Sequence, residues 1–173
     1  MPELVRFRKG FSLLELMVVL VIISLTLSVA LPSYQSMIGR FAITTLANDL
    51  LAAVSFARSE ALRSGAVVSL YGSSGAVTNT LGSGYCVVPG AGVPGNCAAA
   101  IQVFSVSDSN LTADIFNPAA QVQASLQFDA LGGLAGTGGA TRTIDICRTG
   151  FAGRQIQISL IGRGRIVATG LCP

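Results

Sequence analysis

An apolar run near the N-terminus constrains this chain more than any other feature of its sequence. From Phe11 to Leu31, 21 residues in all, every residue is apolar except for small hydroxyl-bearing ones and Glu15. A helix needs about 20 such residues to cross a bilayer, whereas the apolar core of a secretory signal peptide is usually about 7–15 residues long. The run therefore predicts a transmembrane helix over 11–31.

The charged residues around this run predict its orientation. Arg6, Arg8 and Lys9 precede it, and the 20 residues that follow it contain only Arg40 and Asp49 as charged groups. Basic residues concentrate on the cytoplasmic side of membrane spans. We therefore expect a single pass, with the N-terminus in the cytoplasm and the rest of the chain on the outer side of the membrane.

A carboxylate inside the apolar run is costly and needs an explanation. Insertion scales assign ~2.5–3.5 kcal/mol to a charge at the centre of a span, and such residues are usually paired and functional. Glu15 lies only five residues into the run. It therefore either reaches the nearby membrane interface or meets a partner charge inside the membrane.

The residues across the start of the run carry a family resemblance. The segment KGFSLLEL, beginning at Lys9, resembles the class III leader junction of type IV pilins and type II secretion pseudopilins. The resemblance implies that a prepilin peptidase cuts between Gly10 and Phe11, and that the new N-terminus of Phe11 is methylated. It also implies that Glu15 pairs with the N-terminal ammonium of a neighbouring subunit. The expected location is the bacterial inner membrane with a periplasmic domain, and after assembly a pilus or pseudopilus.

The helical pattern continues beyond the apolar run. An apolar stripe with spacings of three and four residues follows Pro32, and Gly65 is a natural helix end. The stripe consists of Ile43, Leu46, Leu50, Val54, Ala57 and Ala61. We predict one helix from near Phe11 to Ser64. Residues 1–10 are then a leader, 11–31 a transmembrane helix, 32–64 its amphipathic continuation and 65–173 a globular domain.

The remainder of the chain, residues 65–173, is rich in glycine and in β-forming residues and shows no helical period. Runs of Gly, Ser, Asn and Pro separate short β-type segments. Strands are predicted over 67–71, 85–88, 101–106, 124–128, 143–147, 156–161 and 165–169. The segments 72–84 and 89–99 are predicted to be mobile loops.

A second resemblance narrows the family. The segment FARSEALRSG, from Phe56 to Gly65, resembles a hallmark of the GspH/FimT branch, which includes pseudopilin H and minor pilins of the FimT and FimU kind. This branch implies an α+β type IV pilin-like fold, in which a long N-terminal helix packs on a C-terminal antiparallel β-rich domain. Family members commonly have a tryptophan-containing strand where this chain has Gly84, Tyr85 and Cys86.

All four cysteines lie on the predicted outer side of the membrane. An even number in an oxidising compartment indicates disulfides, and four cysteines allow three pairings. Sequence proximity favours Cys86 with Cys97 and Cys147 with Cys172. A metal site is not expected, because there is no CxxC pair and no histidine.

The sequence contains little that could catalyse a reaction. It has no histidine, and its one lysine, Lys9, lies in the predicted leader. Glu60 is the one glutamate outside both the leader and the membrane, and no GxxxxGK[ST] phosphate loop occurs. We therefore predict that the protein is not an enzyme and has no cofactor.

The C-terminal quarter is basic. Residues 130–173 contain five arginines and one acidic residue, Asp145. The sequence from Gly162 to Arg165, GRGR, resembles the GRxR element associated with DNA uptake in FimT-like minor pilins, and arginine binds phosphate oxygens in a bidentate manner. The alternative is a turn whose charges keep a strand edge soluble. The candidate DNA-binding residues are Arg142, Arg148, Arg154, Arg163 and Arg165.

Three functions are compatible with these features. The favoured one is a minor pilin at or near the tip of a type IV pilus, where it primes assembly. The second is the same kind of subunit contacting DNA for uptake in natural transformation. The third is pseudopilin H of a type II secretion system. The expected partners are other pilin or pseudopilin subunits, the prepilin peptidase/N-methyltransferase, the inner-membrane assembly platform and DNA.

Overall fold

The computed structural model describes residues 10–75, 80–136 and 140–172, so nearly all of the predicted leader lies outside the described residues. The chain divides into two compact units, an anchor unit up to Ile38 and a folded unit that begins at Gly39. One helix, α1, runs from Leu13 to Ser64 and contributes residues to both units. Its observed bounds agree with the predicted helix to within two residues.

The anchor unit is an apolar helix whose side chains are exposed. Among the described residues, α1 is the one helix long and apolar enough to cross a membrane, and none of its most apolar stretch is buried by the rest of the chain. Hydroxyls in its apolar stretch bond within the helix: Ser24 and Ser28 donate to carbonyl oxygens three residues earlier at 2.8 and 2.7 Å. Internal pairing of this kind is what a bilayer requires of polar groups.

The folded unit contains two antiparallel sheets. The strands in chain order are β1 Val68–Gly72, β2 Tyr85–Pro89, β3 Gln102–Phe104, β4 Thr112–Phe116, β5 Val122–Gln123, β6 Ser125–Phe128, β7 Arg142–Cys147, β8 Ala152–Ile158 and β9 Gly164–Leu171. The first sheet has the order β3-β2-β1-β6, and the second has the order β5-β4-β7-β8-β9. Strand β9 therefore lies at an edge of the second sheet.

The amphipathic half of α1 forms one core with both sheets. Every residue of the predicted apolar stripe is buried, which confirms the stripe. Leu50 and Val54 are fully buried in the same cluster as Leu70 of the first sheet and Ile144 and Ile156 of the second. The core therefore fixes the helix against both sheets at once, and the predicted α+β architecture is confirmed.

The strand predictions were wrong for three strands. Strands β4 and β5 were missed: β4 reads TADIF, in which Asp114 interrupts the apolar residues, and β5 has only two residues. Strand β8 begins at Ala152 and ends at Ile158, whereas a strand over 156–161 was predicted. The residues after Ile158 instead enter a tight turn to β9.

The segment 72–84 differs from the mobile loop expected there. Towards its C-terminal end, Thr80 and Leu81 are buried. The Leu81 amide donates to the Ala113 carbonyl at 2.9 Å, and the Thr80 amide donates to Oδ1 of Asp114 at 2.9 Å. This end of the segment is therefore packed along strand β4.

Candidate functional site

The turn between β8 and β9 presents the GRGR sequence. The Ser159 amide donates to the Arg163 carbonyl at 2.9 Å, and the Gly162 amide donates to the Ser159 carbonyl at 2.8 Å. Gly162 has a φ of 74°, in the left-handed region that glycine adopts at little cost. These bonds define a tight hairpin over 159–163 with Arg163 as its last residue.

Both glycines of GRGR also serve packing. A Cβ at position 162 would overlap the carbonyl oxygen of Gly132 and lie 2.9 Å from Cδ of Arg58. A Cβ at position 164 would lie 2.6 Å from Cδ1 of Leu51 on α1. The hairpin can therefore lie directly on the turn around Gly132 only because position 162 lacks a side chain, whereas a side chain at position 164 would require Leu51 to move.

Three of the five candidate arginines line one cleft beside this hairpin. The cleft has a volume of about 670 Å³ and is lined by Thr141, Arg142, Thr143, Gln157, Ile158, Ser159, Arg163, Gly164 and Arg165. No acidic side chain is among these described lining residues. Arg165 is held by the side-chain oxygen of Gln157, to which its Nε and Nη2 donate at 3.0 and 2.7 Å. Arg163 is exposed, and no described residue pairs with its guanidinium.

The other two candidate arginines do not line the cleft. Nη1 of Arg148 lies 2.7 Å from Oδ2 of Asp108, and the guanidinium sits 5.5 Å from the centre of the Phe151 ring. Arg154 is paired across the sheet with Ile146, whereas Arg142 is paired with Ile158. The two rows are four residues apart along the strands, about 13 Å at the usual rise of a strand. The structure thus groups three arginines and separates two from them.

Sequence reasoning missed Arg58, which lies next to the hairpin. Its Nε donates to the Gly132 carbonyl at 3.0 Å, and its side chain is partly buried. The residue belongs to the FARSEALRSG segment that identified the branch, so the signal was present but pointed only to family. Its position beside Gly162 depends on contacts between residues far apart in sequence.

A further arginine on the helix is already neutralised. Arg63 forms a salt bridge with Glu60 one turn earlier on α1. This hydrogen-bonded pairing lowers the pKa of Glu60 and raises the pKa of Arg63. Arg63 is therefore less available to an anion than Arg163.

The predicted processing and assembly residues lie at the start of the anchor unit. Gly10 and Phe11 are exposed and precede the helix, while Glu15 is in its first turn. A carboxylate in the first turn interacts favourably with the helix dipole.

The structure pairs the cysteines as sequence proximity favours. Cys86 and Cys97 are joined with their Cα atoms 6.0 Å apart, and Cys147 and Cys172 with theirs 5.6 Å apart. The first bridge ties the segment 89–99 to β2, and the second ties the residue after β9 to the end of β7. Among the described residues, no group of His, Cys, Asp and Glu side chains could hold a metal ion.

These features define a class of protein: a β-rich folded unit that carries a long apolar N-terminal helix, with no catalytic constellation among its described residues. Residues 46–162 match the family described as Type II transport protein GspH, and residues 5–31 match the prokaryotic N-terminal methylation motif. The first match spans more than half of the chain, so the chain belongs to the GspH family. It is a structural, non-enzymatic protein of the minor pilin or pseudopilin kind, and the resemblance seen in its sequence is confirmed.

Solved structures of one minor pilin are similar to this chain. The type IV minor pilin FimU of Pseudomonas aeruginosa (strain PAO1), in a crystal of space group P21, is 28% identical with a TM-score of 0.57. That similarity covers 78% of this chain and 90% of FimU. A second crystal form, in space group P65, gives the same identity and TM-score over 72% of this chain and 92% of FimU. No curated protein sequence matches the chain.

Proposed function

We propose that this protein is a minor pilin of a type IV pilus, incorporated at or near the filament tip, where it primes assembly. The observation that carries this proposal is the similarity of its helix-and-sheet architecture to the minor pilin FimU over most of both chains. The methylation motif over 5–31 supports assembly through the N-terminal helix. The partners are then other pilin subunits and the inner-membrane assembly platform.

The proposed route to the filament starts in the inner membrane. The N-terminus lies in the cytoplasm and the folded unit in the periplasm, in keeping with the basic residues before the span. The prepilin peptidase/N-methyltransferase cuts between Gly10 and Phe11 and methylates Phe11. Glu15, an otherwise costly carboxylate in the membrane, then pairs with the ammonium of a neighbouring subunit. That pairing favours insertion of this subunit next to another pilin.

A deletion experiment in the bacterium that encodes the chain tests this role. We expect few surface pili in the deletion strain by electron microscopy, restored by expression of the full chain, with antibody label at pilus ends. The alternative is pseudopilin H of a type II secretion system, which the family match also accommodates. Normal piliation together with loss of exoprotein secretion would assign that alternative and overturn the pilus role.

A second proposed function is contact with DNA for uptake in natural transformation. It is carried by the cleft that Arg142, Arg163 and Arg165 line without an acidic residue among the described lining residues. Guanidinium groups match phosphate oxygens in a bidentate manner, and contacts to the phosphate backbone need no base sequence. Transformation frequency in a strain with alanines at Arg163 and Arg165 tests this role, provided that piliation is unchanged. An unaltered frequency in that strain would reject it.

A further inference from the structure

A second cleft adjoins Arg163, between the hairpin and the last turns of α1. Its volume is about 230 Å³, and it is lined by Ser55, Arg58, Ser59, Leu62, Gly162, Arg163 and Gly164. We call this cleft the helix cleft and the larger cleft lined by Arg142, Arg163 and Arg165 the sheet cleft. Arg163 and Gly164 line both of them. The two clefts are therefore neighbours, separated by the base of the hairpin.

Arg58 is fixed in position at the helix cleft. Its Nε donates to the Gly132 carbonyl at 3.0 Å. Gly162 lies against its side chain, since a Cβ at position 162 would be 3.0 Å from that same Nε. Its Nη groups have no partner among the described residues, so they can still donate to a ligand. Holding the guanidinium in place reduces the conformational entropy that ligand binding would otherwise cost.

The charges of the two clefts are unbalanced. Four arginines line them, namely Arg58, Arg142, Arg163 and Arg165, and the described lining residues include no Asp or Glu. Like charges gathered at a partly desolvated surface repel one another. Elsewhere in the folded unit, Arg63 and Arg148 each have a carboxylate partner, whereas Arg40 and Arg154 form no ion pair with a described residue. The four cleft arginines differ from Arg40 and Arg154 in lining two adjoining clefts, where one external anion can contact several of them.

We propose that Arg58 binds one phosphate of a DNA backbone in the helix cleft and that Arg163 and the sheet cleft bind the next phosphates, so that the strand crosses the base of the hairpin. This inference rests on the proposed DNA contact and extends it to a residue outside the GRGR sequence. A backbone carries charges at regular intervals and can occupy two adjoining clefts at once. A folded acidic protein, by contrast, could occupy both clefts only if carboxylates on its rigid surface lay at positions that match the two clefts.

Fluorescence anisotropy of a labelled 20-base-pair duplex with the full chain in non-ionic detergent tests the proposal between about 25 and 200 mM salt. The variants are Arg58→Gln, Arg58→Lys and the control Arg40→Gln. Arg40 is an exposed arginine on the same helix, about 27 Å from Arg58 at the helical rise. Circular dichroism at the assay temperature establishes that each variant is folded.

We expect Arg58→Gln to weaken binding roughly three- to tenfold at the lowest salt and to reduce the magnitude of the salt slope by about 0.9, the value for one phosphate that is no longer neutralised. Arg58→Lys keeps the charge and should keep the slope, and Arg40→Gln should match the wild type. A slope unchanged in Arg58→Gln would overturn the proposal. An equal loss in Arg58→Lys would also overturn it, because the residue would then act only through its bond to Gly132.

Two further outcomes separate this inference from the function on which it rests. If the wild-type chain binds no DNA at low salt, the proposed DNA contact fails together with the inference. If Arg163→Ala with Arg165→Ala weakens binding but Arg58→Gln does not, only the inference fails. A glutamate 12-mer that displaces the duplex as well as a phosphodiester 12-mer would assign the clefts to an acidic protein and overturn the proposal.

Discussion

The α-carbon of Gly162 faces the carbonyl oxygen of Gly132 at a separation that leaves no room for a side chain between them. The same carbonyl accepts the hydrogen bond from Nε of Arg58. Two turns and the helix therefore meet at one point, which holds the base of the arginine hairpin. The glycine thus has a structural role that is separate from any contact made by the arginines.

Substitution of this glycine should destabilise the folded unit. Gly162→Ala places a Cβ at a positive φ and against the Gly132 oxygen, so we expect a loss of roughly 2 kcal/mol or more in the free energy of unfolding. Gly170→Ala is the matched control, because nothing lies within 4 Å of a Cβ there. Thermal unfolding of the two variants measures the difference, and equal stability would contradict the packing described here.

The helix and its buried face could be predicted because they depend on local spacing. The stripe from Ile43 to Ala61 has a helical period, and a single period decides which residues face the core. Strand β4 was missed because its central Asp114 reads as a loop residue. In the structure Asp114 lies on the face opposite the core, where its carboxylate accepts a bond from the Thr80 amide.

The candidate site was only partly predictable for a different reason. The GRGR sequence marks the hairpin locally, but which arginines join it depends on strand register. Register places Arg142 next to Ile158, at the end of β8 from which the hairpin leaves. Arg148, which lies outside the cleft, forms an ion pair with Asp108, a partner 40 residues away in sequence. No local pattern could have shown either relationship.

Both disulfides should form when the protein matures in an oxidising compartment. Peptide mapping of the purified full chain should link Cys86 to Cys97 and Cys147 to Cys172, with no free thiol. The chain-entropy relation gives about 2.8 kcal/mol for the first loop and about 3.5 kcal/mol for the longer second loop. Paired serine variants should follow that order in thermal unfolding. Crossed links would contradict the pairing.

The leader junction predicts how the protein is processed. The mature N-terminus should be a methylated Phe11, which intact-mass analysis of membrane-extracted protein will detect. A mature chain that begins after residue 30 would contradict the pilin-type leader.

The glutamate in the apolar run predicts how the protein assembles. Glu15→Ala should leave the protein inserted, cleaved and folded, but should sharply lower its amount in sheared filaments because the charge pair with a neighbouring ammonium is removed. Normal incorporation at matched expression would contradict that role.

The arginines of the sheet cleft should give weak, sequence-independent binding to duplex DNA that falls as salt rises. Arg163→Ala with Arg165→Ala should remove most of this binding and reduce the magnitude of the salt slope by up to about 1.8, or 0.9 for each phosphate that the variant no longer neutralises. Both side chains are exposed, so the free energy of unfolding should change by less than ~0.5 kcal/mol.

Arg148→Ala is the matched control from the same basic region. It breaks the ion pair with Asp108 but should leave the salt slope unchanged, because Arg148 lies outside the cleft. Equal losses of binding in the control and in the double variant would show that net charge, and not the cleft, attracts DNA. Aggregation of the double variant with no DNA binding by the wild type would instead assign these arginines to keeping the edge strand β9 soluble.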